Sequence, residues 1–415
     1  MSAAERQQCV KCGTVYKLDE VIYQCSCGSM LEITRDPAVF ARASKDLFRS
    51  RKLSHADVDR SGVWRFRELI NDAASNVAVI HPEGNTYTYF RQALADFCDT
   101  EQVWFKHEGE NPTGSFKDRG MTVAVTQAKR LGASMVGCAS TGNTSASLAA
   151  YAAQAGLKAV VFIPDGKIAT GKLAQALGYG ATCIAVSGDF DTAMNLVQQA
   201  GKDNGMYIVN SINPFRPEGQ KSIIYEILET LDYDAPDWIV VPAGNLGNTS
   251  AFGKALIEMH LAGWIKRLPR IASIQATGAN PFYLSYQNQF RTLTPVKAET
   301  VATAIRIGNP VNFEKAVNVI RATNGVVEQV SDQEIMAAKA AIDRSGIGCE
   351  PASASSLAGI KKLRAAGIIR KTDRVVGILT GHILKDSEAI LAGTKSDVRK
   401  FSGSATDLSR LLASI

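Results

Sequence analysis

The chain has 415 residues, of which 46% are hydrophobic and 21% charged, with 46 Lys and Arg against 40 Asp and Glu. That composition suits two or three globular domains with full cores, and a net charge of +6 without a clustered basic face argues against a nucleic-acid binder. No apolar run approaches the ~18 residues of a membrane span, the polar opening MSAAERQQ lacks a secretory apolar segment, and a cytoplasmic protein is expected.

Half of the eight cysteines fall within the first 27 residues, as CVKC at 9–12 and CSCG at 25–28 in a short, turn-like stretch. The two-residue spacer of CVKC suits a tetrahedral metal, whereas one residue between the thiols of CSC is short for a zinc knuckle. Cys98, Cys138, Cys183 and Cys349 stand singly in apolar stretches, as reduced buried thiols do. Residues 36–110 are mixed in texture. From about residue 112, apolar runs alternate with Ala/Leu/Gln-rich helical periods. SMVGCAS, AVVFIPD, TCIAVSG, YIVNS, DWIVVPA, RIASIQA and RVVGILTG read as buried parallel strands, and the segments between them as helices. The predicted class is α/β.

Two glycine-rich stretches fail as nucleotide loops. GKIATGK at 166–172 is followed by Leu173, where a hydroxyl for Mg²⁺ is required. GYGATC at 178–183 lacks a third glycine and leads from helix to strand, the reverse of the dinucleotide order. The five histidines are scattered and show no HExxH spacing. By contrast, GNTSA occurs twice, at 142–146 and 247–251, each time between an apolar run and an Ala-rich helical period. Gly and Asn tolerate the turn and Thr or Ser can cap the helix, so two helix N-termini are expected to favour two anionic groups. In ENPTGSFKDRG, at 110–120, Ser115 is expected to cap a helix that places Lys117 at its N-terminus. That end of a helix disfavours a cation and lowers an amine's pKa, which suits a nucleophilic lysine.

NPTGSFKDRG, ASTGNTSAS, NSINPFRPEGQK, PAGNLGN, ATAIRIGNP, EPASASSLAG and LTGHILKD, in that order, resemble the threonine synthases. These are pyridoxal-phosphate (PLP) enzymes of the fold shared with tryptophan synthase β and the serine/threonine dehydratases. The resemblance runs from about residue 60 to 390. It implies two α/β domains with a short Cys-rich extension: residues 1–35 zinc-ribbon-like, 36–112 and 214–395 a large PLP-binding domain, 113–213 a smaller mobile domain, and 396–415 a tail. Lys117 would carry PLP, and Gly244, Asn245, Leu246, Gly247 and Asn248 would cradle its phosphate through backbone amides. Asn143 would meet the ring oxygen and Thr380 the ring nitrogen, a hydroxyl where other PLP enzymes use a carboxylate. Ser140, Thr141 and Thr144 would receive the substrate carboxylate, and Ser211 and Arg216 its phosphate.

The implied reaction converts O-phospho-L-homoserine and water to L-threonine and phosphate by γ-elimination and β-hydration. A homodimer is expected. The N-terminal cysteines resemble the small zinc ribbon of some family members, so Cys9, Cys12, Cys25 and Cys27 are either a structural zinc site or metal-free thiols. Two departures stand out: Ile383 occupies a position commonly glycine, and EGNTYTY at 83–89 lacks the usual Pro-Leu. The rival readings are a threonine or serine dehydratase, a non-catalytic PLP-binding homologue and a zinc-ribbon nucleic-acid module. The Arg216 segment, the intact Lys117 and the weak charge argue against each in turn.

Overall fold

The computed structural model describes residues 5–165, 170–188, 190–387, 389, 404 and 410–412. Most of the 396–415 tail, and the first four residues of the rejected GKIATGK loop, lie outside them. The Cys-rich start is more regular than its turn-like sequence suggests. Glu5–Cys9 (β1), Val15–Tyr16 (β2) and Leu31–Arg35 (β3) form an antiparallel sheet in the order β2-β1-β3. Gln7, fully buried on β1, donates to the carbonyls of Lys17 (2.9 Å) and Glu20 (2.7 Å), pinning the intervening turns.

Along the rest of the chain follow Thr88–Phe90 (β4), Gln102–His107 (β5), Met135–Ala139 (β6), Lys158–Pro164 (β7) and Thr182–Val186 (β8). Then come Tyr207–Ile208 (β9), Trp238–Pro242 (β10), Arg270–Ala276 (β11), Val326–Val330 (β12) and Arg374–Leu379 (β13). They build two sheets. The larger runs β12-β11-β10-β13-β5-β4, parallel except for the antiparallel edge strand β4. The smaller runs β8-β7-β6-β9 and is wholly parallel. Helices cover both faces, which is why β10 is buried along its whole length and reads as a continuous apolar run. In the smaller sheet, Val161 and Ile163 join one core and Phe162 the other, following the two-residue period of a strand.

Both GNTSA copies sit at strand-to-helix junctions, opening the helices Asn143–Ala155 and Gly247–Leu261. Among the described residues, no side chain caps either helix, contrary to the expected role of Thr and Ser. The hydroxyls turn the other way: Ser145 Oγ donates to the Gly142 carbonyl (2.7 Å) and Ser250 Oγ to that of Leu246 (2.8 Å). Neither hydroxyl therefore caps an opening amide of its helix. Ser115 likewise does not cap the helix Lys117–Arg130; Phe116 takes the cap position, and Ser115 Oγ is buried without a hydrogen-bond partner among the described residues.

A buried ion network holds that helix in place. Arg119 binds both oxygens of Glu108 (2.5 and 2.7 Å) and both of Glu226 (2.9 and 2.7 Å), and Lys106 Nζ on β5 joins Glu226 at 2.7 Å. Burial would push Glu226 up, yet the charges of Arg119 and Lys106 hold it well below the usual carboxylate range. Removing one partner of such a network leaves an uncompensated buried charge, typically at ~3–5 kcal/mol.

Candidate active site

A cavity of about 1850 Å³ is lined by the segments that follow β6, β10 and β13, together with the start of the Lys117 helix. The crevice beyond the carboxyl ends of parallel strands is where such folds bind ligands. Every residue assigned a cofactor or substrate role from sequence lines it: Lys117; Ser140, Thr141, Asn143 and Thr144; Ser211 and Arg216; Gly244 to Asn248; and Thr380.

Residues 244–248 form a cradle. Leu246 adopts the left-handed conformation (φ 62°), turning the chain into the Gly247–Leu261 helix. A Cβ on Gly244 would stand 3.0 Å from Ile305 Cα, so glycine lets the 303–308 segment close over the loop. Asn312 clamps the cradle from outside, its Nδ2 donating to the Asn245 carbonyl at 3.1 Å. Around it, the buried Asn248 Oδ1, Asn312 Oδ1 and Gln220 Oε1 have no hydrogen-bond partner among the described residues. Those amide oxygens are acceptors; what fits an anionic ligand group such as the PLP phosphate is the uncapped helix N-terminus itself, through its backbone N–H groups.

Arg216 opens the short helix Arg216–Gln220 and is 2% exposed. Its Nη1 donates to the Val209 carbonyl (3.1 Å), while Nε is buried without a partner among the described residues. Burial lowers its pKa to about 10, against a small opposing pull from Cys138, so the guanidinium remains charged at neutral pH. A buried arginine with an unspent donor on a cavity wall suits a second anion.

Lys117 faces the same space with Nζ 4.2 Å from the centre of the Phe116 ring. Burial first, and then the charge of Arg216, lower its pKa to about 7, with Glu350 pulling the other way. The expected lowering is present, but its main cause is desolvation rather than the helix end.

Glu350 has no assigned role in the sequence reading, although it opens the EPASASSLAG motif. It is buried where Asn143 and Thr380 meet: Oε2 accepts Asn143 Nδ2 (3.0 Å) and Oε1 accepts Thr380 Oγ1 (3.2 Å). A lone carboxylate inside an otherwise small and apolar stretch, GIGCEPASASS, was the available signal. Lys385, from LTGHILKD, also lines the cavity, where its Nζ bonds Gln175.

The two departures fall beside the cavity rather than in it. Ile383 packs against Gly348, whose φ of 74° and lack of a side chain make room for it. The EGNTYTY segment bonds into the charge network, Asn85 N–H reaching Glu226 Oε1 at 2.7 Å.

The four N-terminal thiols converge despite the short CSC spacer. The sulfurs of Cys9, Cys12, Cys25 and Cys27 all lie within 4.8 Å of one another, with Cys9–Cys27 at 3.4 Å and Cys12–Cys25 at 3.6 Å. Those separations fit the edges of a tetrahedron with metal–sulfur bonds of ~2.3 Å. The cluster also abuts the cavity, which Cys27, Ser29 and Met30 help to wall.

A family model described as pyridoxal-phosphate dependent enzyme matches residues 79–381. The chain is 47% identical over 396 residues to the threonine synthase of Methanocaldococcus jannaschii, covering 95% of this chain and 96% of that protein. It is 45% identical over 387 residues to the threonine synthase of Methanosarcina acetivorans, covering 92% and 93%. Among solved structures it matches threonine synthase from Escherichia coli with a TM-score of 0.70, at 17% identity, over 98% of this chain and 94% of that one. The processed form of threonine deaminase isoform 2 from Solanum lycopersicum matches with a TM-score of 0.65, at 18% identity, over 86% and 95%. At those identities the two structural matches speak for the fold alone.

Proposed function

The chain belongs to the threonine synthases, within the pyridoxal-phosphate-dependent enzymes, and from that premise we propose how the cavity around Lys117 turns O-phospho-L-homoserine and water into L-threonine and phosphate. The observation that supports this use of the cavity is the meeting of two separate anion sites, the 244–248 cradle and Arg216, at one lysine of near-neutral pKa.

Lys117 Nζ would hold the cofactor's aldehyde carbon, residues 244–248 its phosphate, Asn143 its ring oxygen and Thr380 its ring nitrogen. Bound there, PLP supplies the electron withdrawal that acidifies the substrate's Cα–H and Cβ–H and permits loss of the γ-phosphate. Lys117, whose pKa burial lowers to about 7 so that its amine is partly uncharged in the ligand-free site, would act as the base that takes the Cα proton. Ser140, Thr141 and Thr144, at the N-terminus of the Asn143–Ala155 helix, hold the substrate carboxylate. Arg216, with Ser211 beside it, holds the departing phosphate dianion. Protonation at Cγ and addition of water at Cβ complete the balance.

The two-sheet architecture supports a division into a large PLP-binding domain of residues 36–112 and 214–395 and a smaller mobile domain of residues 113–213, with 1–35 and 396–415 as appendages. Closure of the smaller domain would exclude water until phosphate has left. Cys9, Cys12, Cys25 and Cys27 would hold a structural zinc, since four thiolates leave no open position for catalysis. Among the described residues no helix is long and apolar enough to cross a membrane. The unbridged, buried Cys98, Cys138 and Cys349 support a reducing, cytoplasmic setting, and a homodimer completes the reading. The deciding experiment incubates purified holoenzyme with O-phosphohomoserine. Threonine and phosphate should appear in equal amounts; ammonia with a 2-oxo acid instead would make it a dehydratase.

A further inference from the structure

Both residues placed at the cofactor ring lean on one carboxylate. Glu350 precedes the helix Pro351–Ala365, and its carboxyl fills the space that Gly381 leaves: a Cβ at 381 would come within 2.5 Å of Glu350 Cδ. The Glu350 N–H donates to the Gly381 carbonyl at 3.1 Å, fixing the backbone beside Thr380. Oε1 faces Thr380 Oγ1 and Oε2 faces Asn143 Nδ2. Behind them, Ser353 Oγ lies 3.0 Å from Thr380 Oγ1 and accepts the Gly381 N–H at 2.9 Å. One rigid unit therefore joins the residues assigned to the two polar atoms of the pyridine ring.

We propose that Glu350 is a positioning residue that sets the protonation of the cofactor ring, acting on the ring nitrogen through Thr380 and on the ring oxygen through Asn143. The inference rests on the assignment of those two residues to PLP. Its logic is the single proton of a hydroxyl. While Glu350 is ionised, it accepts the Thr380 proton, and Thr380 turns a lone pair towards the ring nitrogen, which favours a protonated ring. When Glu350 carries a proton, it donates to Thr380 Oγ1, and the Thr380 hydroxyl is released to donate to an unprotonated ring nitrogen. Thr380 is thus not fixed as a donor: its partner decides which state of the ring it supports. Asn143 has two amide protons, so it can serve Glu350 and the ring oxygen together.

The surroundings pull on this proton in both directions. Burial raises the Glu350 carboxyl above its ordinary range, while the Asn143 and Thr380 hydrogen bonds and the charges of Lys385 and Lys117 oppose that rise. The titratable groups around it are Lys117 at the start of its helix, Lys385 in the 383–386 turn and the adjacent thiol Cys349.

The test uses holoenzyme with Glu350→Gln, which keeps the shape and both contacts but cannot titrate, and with Glu350→Ala. The visible absorption of bound PLP is followed from about pH 6 to 9, PLP affinity is measured by titrating apoenzyme, and borohydride-trapped PLP is mapped. In Glu350→Gln the adduct should remain on Lys117 while the pH midpoint of the spectrum is lost or displaced by about one unit or more. In Glu350→Ala the PLP dissociation constant should rise about tenfold or more, because Thr380 and Asn143 lose their shared acceptor. A Glu350→Gln spectrum superimposable on wild type at every pH, with the adduct on Lys117, overturns this inference alone. An adduct on a different lysine overturns the site assignment beneath it.

Discussion

Gly219 lies against the carbonyl oxygen of Arg119 so closely that a Cβ at 219 would overlap it. The contact is reciprocated across the crossing, where a Cβ on Gly120 would stand 2.9 Å from the carbonyl oxygen of Arg216. Two glycines thus let the Lys117 helix and the Arg216 helix touch backbone to backbone, and the cavity lysine and arginine are held together as a result. Gly219→Ala should push the helices apart. Overpacking of this kind costs ~1–3 kcal/mol, and a displacement near 1 Å can cost ~10²-fold in rate. We expect kcat/KM for phosphohomoserine to fall far more than PLP content. Wild-type kinetics with wild-type thermal stability would show that the spacing is not needed.

Lys117 makes a pH prediction. Its pKa is lowered to about 7, so the neutral, nucleophilic fraction grows as pH rises through that value and saturates above it. The rate at which apoenzyme takes up PLP should therefore climb about tenfold per unit below pH 7 and level off by about pH 8. A lysine at its ordinary pKa would keep gaining rate beyond pH 9. Stopped-flow absorbance across that range decides between them. Lys117→Ala should abolish the borohydride-trapped adduct altogether.

The cysteine cluster predicts a metal dependence with a structural readout. Its module grips both sheets' surroundings: Tyr23 Oη accepts the Ile208 N–H on β9 (2.7 Å), while Ser29 Oγ bonds Glu314 and Lys315 Nζ reaches the Leu31 carbonyl (2.6 Å). Chelation, or Cys12→Ser, should lower Tm by several degrees and raise KM, since the module walls the cavity. Elemental analysis should find one zinc per chain. Full occupancy by substrate at unchanged KM after metal removal would mean the module does not shape the site.

What was legible in the sequence depended on how locally each feature is encoded. Strands such as β7 and β10, buried on both faces, announce themselves as unbroken apolar runs. Edge strands do so unevenly: β8 and β9 were legible, whereas β12, VVEQV, keeps two polar residues half-buried and β4 is only three residues long. The motif residues reached one cavity because strand-end loops converge by topology. Glu350 was hidden because its meaning lies in Asn143 and Thr380, distant in sequence. The caps failed for a related reason: Ser145 and Ser250 satisfy backbone carbonyls, a choice that propensity alone cannot distinguish from capping.

On the proposed reading, Arg216 would separate the phosphate of the substrate from that of the cofactor. PLP would be held by the amides of 244–248, whereas Arg216 lies on another element and its Nε, unpartnered among the described residues, would be the donor to the leaving phosphate. Hydrogen bonds to charged groups contribute ~1.5–3 kcal/mol each, so Arg216→Ala should cut kcat/KM for phosphohomoserine by a few powers of ten while leaving PLP content near normal. Arg216→Lys should restore only part of it, because a point ammonium cannot reproduce the guanidinium fork. A second readout needs no substrate. The Arg216 charge is one of the causes that lower the Lys117 pKa, so removing it should raise that pKa and move the PLP-uptake curve to higher pH. Arg216→Lys, which keeps the charge, should leave the curve close to wild type. If Arg216→Ala keeps normal phosphohomoserine kinetics while the uptake curve still shifts, the arginine tunes Lys117 but the leaving phosphate is bound elsewhere on the cavity wall.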